Sequence, residues 1–204
     1  MSTSLVNPTD VLTFWFGPER NGAWAAAPET LRQWFVKDLD FDATIVDRFG
    51  TTIEAAIAGD ARLTQWEATP EGALALLIVL DQFTRNAFRG TARMFAGDST
   101  ALALAKRLVD AHLEQSLRPI ERVFVYLPFE HSESFGDQER AIALFEALAA
   151  GEADGTFAAM SVDYARKHEV IIRRFGRFPH RNALLGRDST PEELEFLATP
   201  GSSF

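Results

Sequence analysis

The sequence predicts an all-α fold built from stacked antiparallel helical hairpins. Along the 204 residues, apolar side chains recur at intervals of three and four, the spacing of helices that are buried on one face. Capping residues, prolines and glycines interrupt this spacing roughly every 12 to 25 residues, as between helices of ordinary length. No segment alternates apolar and polar residues as a half-buried strand does. Because the predicted links are short, successive helices are expected to pack antiparallel.

Four helices are predicted in the N-terminal half. Asn7-Pro8 opens the first helix, because the Asn side chain can accept a hydrogen bond from the backbone of the first turn. Gly17 ends the helix, because glycine readily adopts the backbone conformation of a helix terminus. Asp40 is the expected cap of the third helix. The fourth helix is apolar on nearly all sides up to Leu80, so it is predicted to be central in the core. In chain order the four helices cover residues 8–16, a segment after Pro28, 40–57 and 71–88.

Five further helices are predicted in the C-terminal half. Asp98 is the expected cap of the first of them, and Thr190 with Glu193 forms a capping box for the last. Pro179 lies beyond the end of the longest, because the residue before a proline disfavours helical geometry. Phe204, the last residue, is expected to be buried against the core. The five helices cover residues 99–114, 119–131, 137–151, 154–175 and a short segment after Pro191.

Composition excludes several classes of protein. The absence of Cys removes disulfides, thiolate catalysis and cysteine-bound zinc. A net charge of −9 argues against a general role in binding nucleic acid, which needs a broad cationic surface. The longest aliphatic run, Ala73–Leu80, is far shorter than a membrane span. We therefore expect one cytoplasmic domain over residues 1–204, with no nucleic-acid or membrane partner and an oligomeric state that the sequence leaves open.

The sequence also lacks the motifs of cofactor and nucleophile chemistry. It has no phosphate-binding glycine loop, dinucleotide fingerprint or nucleophile elbow, so no cofactor is predicted. No His-Glu-x-x-His pattern is present either, and nothing in the spacing of the histidines requires a metal. The expectation is a protein without a metal site.

A basic segment, Arg166–Arg187, holds seven Lys and Arg residues and one acid, Glu169. In so acidic a chain, such a concentration of cations either neutralises the protein's own acids or holds a foreign anion. Arginine grips carboxylates and phosphates in a planar, bidentate way. The segment therefore supplies four candidate ligand-binding residues: Arg177, His180, Arg181 and Asn182.

Histidines end or interrupt two apolar helix faces. His168 lies within the apolar face of the predicted helix 154–175, and His131 follows Glu130 at the end of another. Each imidazole is either a core group bonded to a carbonyl or carboxylate, or part of a site with His180. Glu130, His131 and His168 are the candidate catalytic residues.

A second polar group follows the buried run that ends at Leu80. Asp81 and Arg85 are spaced as partners on one helix, Asn86 is adjacent, and Arg89 lies one turn further. These four residues form either a structural network between helices or a site for an anion. Because buried charges need partners, three groups are expected to meet in one place: Asp81/Arg85/Asn86, Glu130/His131 and His168/Arg177/His180/Arg181.

Five long segments have an idiosyncratic sequence: VLTFWFG (11–17), DQFTRNAFRGTARMFAGD (81–98), YLPFEHSES (126–134), DQERAIALF (137–145) and RFGRFPHRNALLGRDSTPEELEFL (174–197). With these segments the chain resembles an uncharacterised, mainly bacterial family, domain of unknown function 924 (DUF924). Thr84 departs from the family pattern, in which a proline is usual, and affects only local helix geometry. The resemblance implies a tetratricopeptide-like superhelical array. It does not imply any particular activity.

Two classes of function follow. A tetratricopeptide-like binding module would hold a peptide tail or a small anionic ligand in a groove lined by arginine and histidine. A cofactor-free enzyme would use Glu130, His131 or His168 for proton transfer, with arginines stabilising negative charge. A purely structural role would require every arginine to face an internal acid. The fold analogy favours the binding module.

Overall fold

The computed structural model describes residues 4–18, 33–34, 36–150 and 157–202. These residues contain helices and no strand, so the predicted all-α fold is confirmed. The tetratricopeptide-like arrangement stays a prediction. The α-helices are α1 (Pro8–Phe16), α2 (Leu39–Ile57), α3 (Ala61–Thr64), α4 (Pro70–Leu77), α5 (Thr84–Ala87), α6 (Asp98–Asp110), α7 (Pro119–Glu130), α8 (Phe135–Ala149), α9 (Phe157–Phe175) and α10 (Pro191–Leu197).

Shorter helical segments connect the α-helices. Most of the predicted helix after Pro28 lies outside the described residues, as does Phe204. Of that helix Trp34 is described, and its indole Nε1–H donates to the carbonyl of Trp15 at 3.0 Å. The 3₁₀ segments are Gln65–Ala68, Ala92–Phe95, Leu113–Ser116 and Pro179–Arg181, and Ile78–Phe83 is a π-helix.

The predicted helix starts are partly right. Asn7 caps α1 and Thr190 caps α10, each in a capping box. The cap of α2 is Asp38 and not Asp40: the Asp38 carboxylate accepts from the backbone N–H of Asp40 and Phe41 at 3.0 and 3.1 Å. Asp98 is the first residue of α6 and not its cap, which is Gly97; the Asp98 carboxylate accepts from Arg85.

The chain divides into two compact units. Unit 1 comprises Met1–Arg89 and Arg93–Leu117, and unit 2 comprises Gly90–Ala92 and Arg118–Phe204. The core of unit 1 contains the fully buried run from Ala73 to Leu80, as its all-round apolar sequence predicts. In unit 2, α8 packs against both α7 and α9, and α7 also contacts α9. In the described residues no helix is long and apolar enough to cross a membrane.

The π-helix between α4 and α5 was not predicted. The Thr84 hydroxyl donates to the Leu80 carbonyl at 2.8 Å. A π-helix winds more widely than an α-helix, so carbonyls such as this one lose their ordinary α-helical partner. Gly97 approaches the same carbonyl so closely that a Cβ there would lie 2.1 Å from the oxygen. Thr84, the departure from the family pattern, therefore lies where the helix geometry is irregular.

The buried face of α9 differs from the one that apolar spacing predicts, which includes Met160, Tyr164 and His168 and leaves Glu169 on the opposite face. His168 is buried as expected, but Met160 and Tyr164 are exposed, and Glu169 is buried. The N-terminal part of the buried face consists mainly of small side chains, whereas Ile171 and Ile172 are buried in its C-terminal part.

Candidate functional site

In unit 1, Arg85 lies between two aspartates. Its Nη1 is 3.0 Å from Asp81 Oδ1, and its two terminal nitrogens donate to the Asp98 carboxylate at 3.0 and 3.2 Å. Burial alone would lower the pKa of Arg85, but the two carboxylates raise it above its ordinary value. Two acids of the same unit thus surround this guanidinium, an arrangement that supports the structural interpretation of the group.

Asn86 and Arg89 hold a second carboxylate of unit 1, Asp42. Asn86 Nδ2 donates to Asp42 Oδ1 at 2.7 Å, and Arg89 donates to both oxygens at 2.7 and 2.9 Å. Burial would raise the pKa of Asp42, but these bonds lower it on balance. Asp42 could not be identified as the partner from local patterns, because it lies 47 positions before Arg89.

Most arginines of the basic segment pair with acids within unit 2. This arrangement supports the neutralising interpretation for five of the seven cations, whereas Lys167 lies over the Tyr164 ring. The five pairs are Arg166–Glu146, Arg173–Glu169, Arg174–Glu192, Arg177–Glu193 and Arg187–Glu133.

Arg177 and Asn182 share Glu193. Arg177 donates to both carboxylate oxygens at 2.6 and 2.8 Å, and Asn182 Nδ2 lies 3.3 Å from Oε2. The Arg177 bond is the main cause that lowers the pKa of Glu193 to about 2. These two candidate ligand-binding residues therefore anchor α10 to the segment that follows α9.

Glu133 and Arg187 clamp one residue, Phe178. They form two hydrogen bonds with each other, of 2.7 and 2.9 Å. Glu133 Oε1 also accepts from the Phe178 N–H at 2.8 Å, and Arg187 Nη2 donates to the Phe178 carbonyl at 3.2 Å. Burial would raise the pKa of Glu133, but the bonds from Arg187 and Phe178 lower it. The clamp fixes the backbone from which the Phe178 ring projects.

Three imidazoles and one guanidinium surround that ring or lie next to it. The centroids of the His168 and His180 rings lie 5.6 Å from that of Phe178, and the Arg181 guanidinium carbon lies 4.5 Å from it. His131 is next to His168, with a centroid separation of 6.3 Å. We call His131, His168, His180 and Arg181 the histidine cluster. His168 and Arg181 are buried, whereas His131 and His180 are partly exposed, so the cluster extends from the core to solvent.

Glu130 and a backbone carbonyl orient the innermost histidine. His168 Nδ1 lies 2.8 Å from the Tyr164 carbonyl oxygen and 3.2 Å from Glu130 Oε1. A carbonyl oxygen only accepts, so Nδ1 carries the hydrogen and Nε2 is the basic nitrogen of the neutral ring. This is the arrangement by which a carboxylate fixes the tautomer of a histidine.

Burial and neighbouring positive charge keep two of the histidines neutral. Burial is the largest cause lowering the pKa of His168 to about 3, with further lowering by His131, Arg181 and His180. The pKa of His180 falls to about 4 for the same first reason, followed by Arg181. Burial, which disfavours any charge, and the neighbouring cations therefore favour the neutral form of both rings.

Gln138 of α8 holds the end of α7, which carries Glu130. It is fully buried, and its Nε2 lies 2.6 Å from the carbonyl oxygens of both Glu130 and Ser132. An amide that bridges these carbonyls fixes the turn in which His131 lies. Local patterns did not identify Gln138, because its role depends on contact between two helices.

The structure brings together two of the three groups expected to meet. Glu130 and His131 lie against His168, His180 and Arg181, whereas Arg177 belongs to the Glu193 network. Asp81, Arg85 and Asn86 belong to unit 1, and their meeting with the other groups stays a prediction. Among the described residues, no group of three or more His, Asp or Glu side chains is arranged to hold a metal ion.

Comparison with known proteins gives a family and a structural relative. The family described as bacterial protein of unknown function (DUF924) matches residues 11–201. A solved structure of a protein of unknown function from Agrobacterium tumefaciens is 38% identical, with a TM-score of 0.78 over 94% of this chain and 96% of that chain. No curated protein matches the sequence.

Proposed function

We propose that this chain, which belongs to the DUF924 family of bacterial proteins of unknown function, binds a small anionic molecule at the histidine cluster of unit 2. The ligand's carboxylate or phosphate group would lie among His131, His180 and Arg181. The observation that carries the proposal is the gathering of two imidazoles and a buried guanidinium around the Phe178 ring, with a third imidazole, His131, next to His168.

The other candidate arginines support this choice by their engagement elsewhere. Arg85, Arg89 and Arg177 each bond a carboxylate of their own unit in a bidentate way. An arginine held in this way would have to give up two charge-assisted hydrogen bonds before it could bind a ligand. The proposed site therefore contains fewer residues than the full set of candidates.

The chemistry of the cluster suits an oxyanion. A neutral imidazole can donate one hydrogen bond, and a guanidinium donates several in a fixed plane that matches carboxylate and phosphate. The partly exposed His131 and His180 give a ligand access, whereas the buried Arg181 gives it a cation in a low-dielectric environment.

Isothermal titration calorimetry with inorganic phosphate, sulfate and succinate tests the proposal. Wild type is expected to bind at least one of these anions, and Arg181→Met is expected to weaken that binding at least tenfold. Arg166→Met is the matched control, because it removes an exposed arginine of the same unit and should leave affinity unchanged. The proposal would be contradicted if none of the three anions binds to wild type, or if both variants lose affinity equally.

Peptides distinguish the two sources of a carboxylate. A peptide tail bound through its terminal carboxylate would bind with a free C-terminus and not with an amidated one, and more tightly than succinate. The small-molecule proposal expects no gain in affinity from the peptide chain. Tighter binding of the free peptide would replace it by the binding of a peptide tail.

Acid–base catalysis is a second candidate, favoured by the contact between Glu130 and His168. A carboxylate that fixes the Nδ1–H tautomer leaves Nε2 ready to accept a proton from a bound substrate. Incubation of the protein with pooled carboxylates and phosphate esters in D₂O, followed by mass spectrometry, tests it. The candidate expects deuterium incorporation or a new product that disappears in His168→Asn, and a pool unchanged by wild type would exclude it for those compounds.

A further inference from the structure

We infer that the histidine cluster takes up a proton together with its anion, so that the bound ligand is paired with an imidazolium. This inference rests on the proposed function and adds a statement about it: the site selects its ligand by charge and by pH. The argument depends on where the imidazoles and the fixed charges lie.

Contacts within unit 2 place the titratable rings close together. His168 is next to His131 and shares the Phe178 ring with His180 and Arg181. A charge that enters this cluster therefore acts on more than one ring. With Nδ1 of His168 committed to the Tyr164 carbonyl, Nε2 is the atom of that ring that would receive a proton.

Charged groups reach the cluster from every neighbouring element. Glu130 of α7 contacts His168 through a carboxylate oxygen. Glu133, in the turn after α7, is paired with Arg187. The segment after α9 contributes Arg181, which lies over Phe178. On α8, Asp137 accepts from the Ser132 hydroxyl at 2.9 Å, and Arg140 lies over the Phe129 ring of α7.

These surroundings keep the imidazole rings neutral. Burial, followed by nearby positive charge, lowers the pKa of His168 to about 3 and that of His180 to about 4. An anion within hydrogen-bond distance has the opposite effect, because it stabilises the imidazolium and raises the pKa. A pKa raised past the ambient pH means that a proton is bound with the anion.

Sulfate is the appropriate probe, because it stays fully ionised across the pH range in which histidine titrates. Calorimetric titrations at pH 6 in two buffers of different ionisation enthalpy measure the number of protons taken up. We expect an uptake approaching one proton per sulfate, and an affinity that falls about tenfold for each pH unit between about pH 5 and 7. Sulfate binding with no proton uptake and an affinity independent of pH would overturn the inference.

Histidine variants identify the ring that takes the proton. His180→Asn or His168→Asn should reduce the uptake, with far-ultraviolet circular dichroism confirming that each variant is folded. His112→Asn is the matched control: this histidine is exposed, belongs to unit 1, and has a left-handed backbone (φ 55°) that Asn tolerates. Uptake unchanged in both of these variants and in His131→Asn would also overturn the inference.

Failure of the inference and failure of the proposed function give different results. Sulfate that binds without a proton leaves the anion site standing and removes the proton linkage. If wild type binds neither sulfate nor phosphate nor succinate, both fall. Because the wild-type measurement decides the matter by itself, a variant that fails to fold does not block the test.

Discussion

The carboxylate of Glu130 contacts the imidazole of His168, with 3.2 Å between Oε1 and Nδ1, and both side chains are buried. Because the pKa of His168 is lowered to about 3, the contact at neutral pH joins a carboxylate to a neutral ring and is not an ion pair. The Tyr164 carbonyl accepts from Nδ1 of the same ring, so Nδ1 carries the hydrogen. The predictions below begin with this neutral, buried histidine.

Acidification should destabilise the protein before its carboxylates titrate. A histidine with a folded-state pKa below its ordinary value of 6.5 contributes stability that is complete above 6.5 and is lost as the pH falls towards the folded-state pKa. The window runs from 6.5 down to about 3 for His168 and to about 4 for His180. Urea unfolding between about pH 5 and 6.5 should show stability falling by up to about 1.4 kcal/mol per pH unit for each histidine.

The same series in variants assigns the effect. His168→Asn should flatten the dependence on pH, and the exposed His112→Asn should leave it unchanged. Glu133, whose pKa is lowered, begins to lose its contribution only below the ordinary value of 4.5, outside the measured range of about pH 5 to 6.5. A wild-type protein equally stable at about pH 5 and 6.5 would show that neither cluster histidine is kept neutral.

The clamp on Phe178 should be a coupled pair. Arg187→Met leaves Glu133 without its cation, and because both side chains are about one quarter exposed, the expected loss is about 2 kcal/mol, less than for a fully buried pair. Glu133→Gln keeps an acceptor for the Phe178 N–H. A double-mutant cycle from urea unfolding should give a coupling energy of about 1 kcal/mol, and strictly additive losses would argue against the clamp.

Gly97 should tolerate no side chain. A Cβ there would lie 2.1 Å from the Leu80 carbonyl oxygen and 2.8 Å from its carbon, so Gly97→Ala should destabilise the protein by about 3 kcal/mol or more. Gly50 lies within α2 with nothing near its missing Cβ, and Gly50→Ala should stabilise by about 0.5–1 kcal/mol. Thermal unfolding of the two variants measures both effects, and similar midpoints would contradict the close approach at Leu80.

Arg85 should be essential for stability. Its removal leaves the carboxylates of Asp81 and Asp98 near each other without the cation between them, and Asp81 is almost fully buried. Arg85→Met should therefore lower the free energy of unfolding by about 3–5 kcal/mol. Chemical denaturation measures this loss, and a loss below about 1 kcal/mol would show that the network is not structural.

The sequence predicted the helices well, because their signals are local. Asn7 and Thr190 cap their helices by hydrogen bonds to residues three positions away, so the pattern is visible in a short window. The burial of His168 also followed from periodicity, although the predicted face was displaced towards Met160 and Tyr164.

Partners distant in the chain were beyond local reasoning. Arg187 and Glu133 are 54 positions apart, and nothing near either residue identifies the other. The sequence therefore left open whether the basic segment neutralises the protein's own acids or holds a foreign anion, whereas the fold pairs most of its arginines with one acid each. The close approach of Gly97 to the Leu80 carbonyl within the π-helix is likewise a tertiary contact, which no local pattern predicts.

The central claim is that an anion binds at the histidine cluster, and the imidazole resonances test it most directly. The chain has four histidines, three in the cluster and the exposed His112 outside it, so ¹H–¹³C correlation spectra resolve a small set of signals that His→Asn variants assign. Addition of sulfate at pH 6 should move the signals of His131, His168 and His180 towards those of the protonated ring and leave His112 in place. Cluster signals that stay fixed, or that move no more than His112, would contradict the claim.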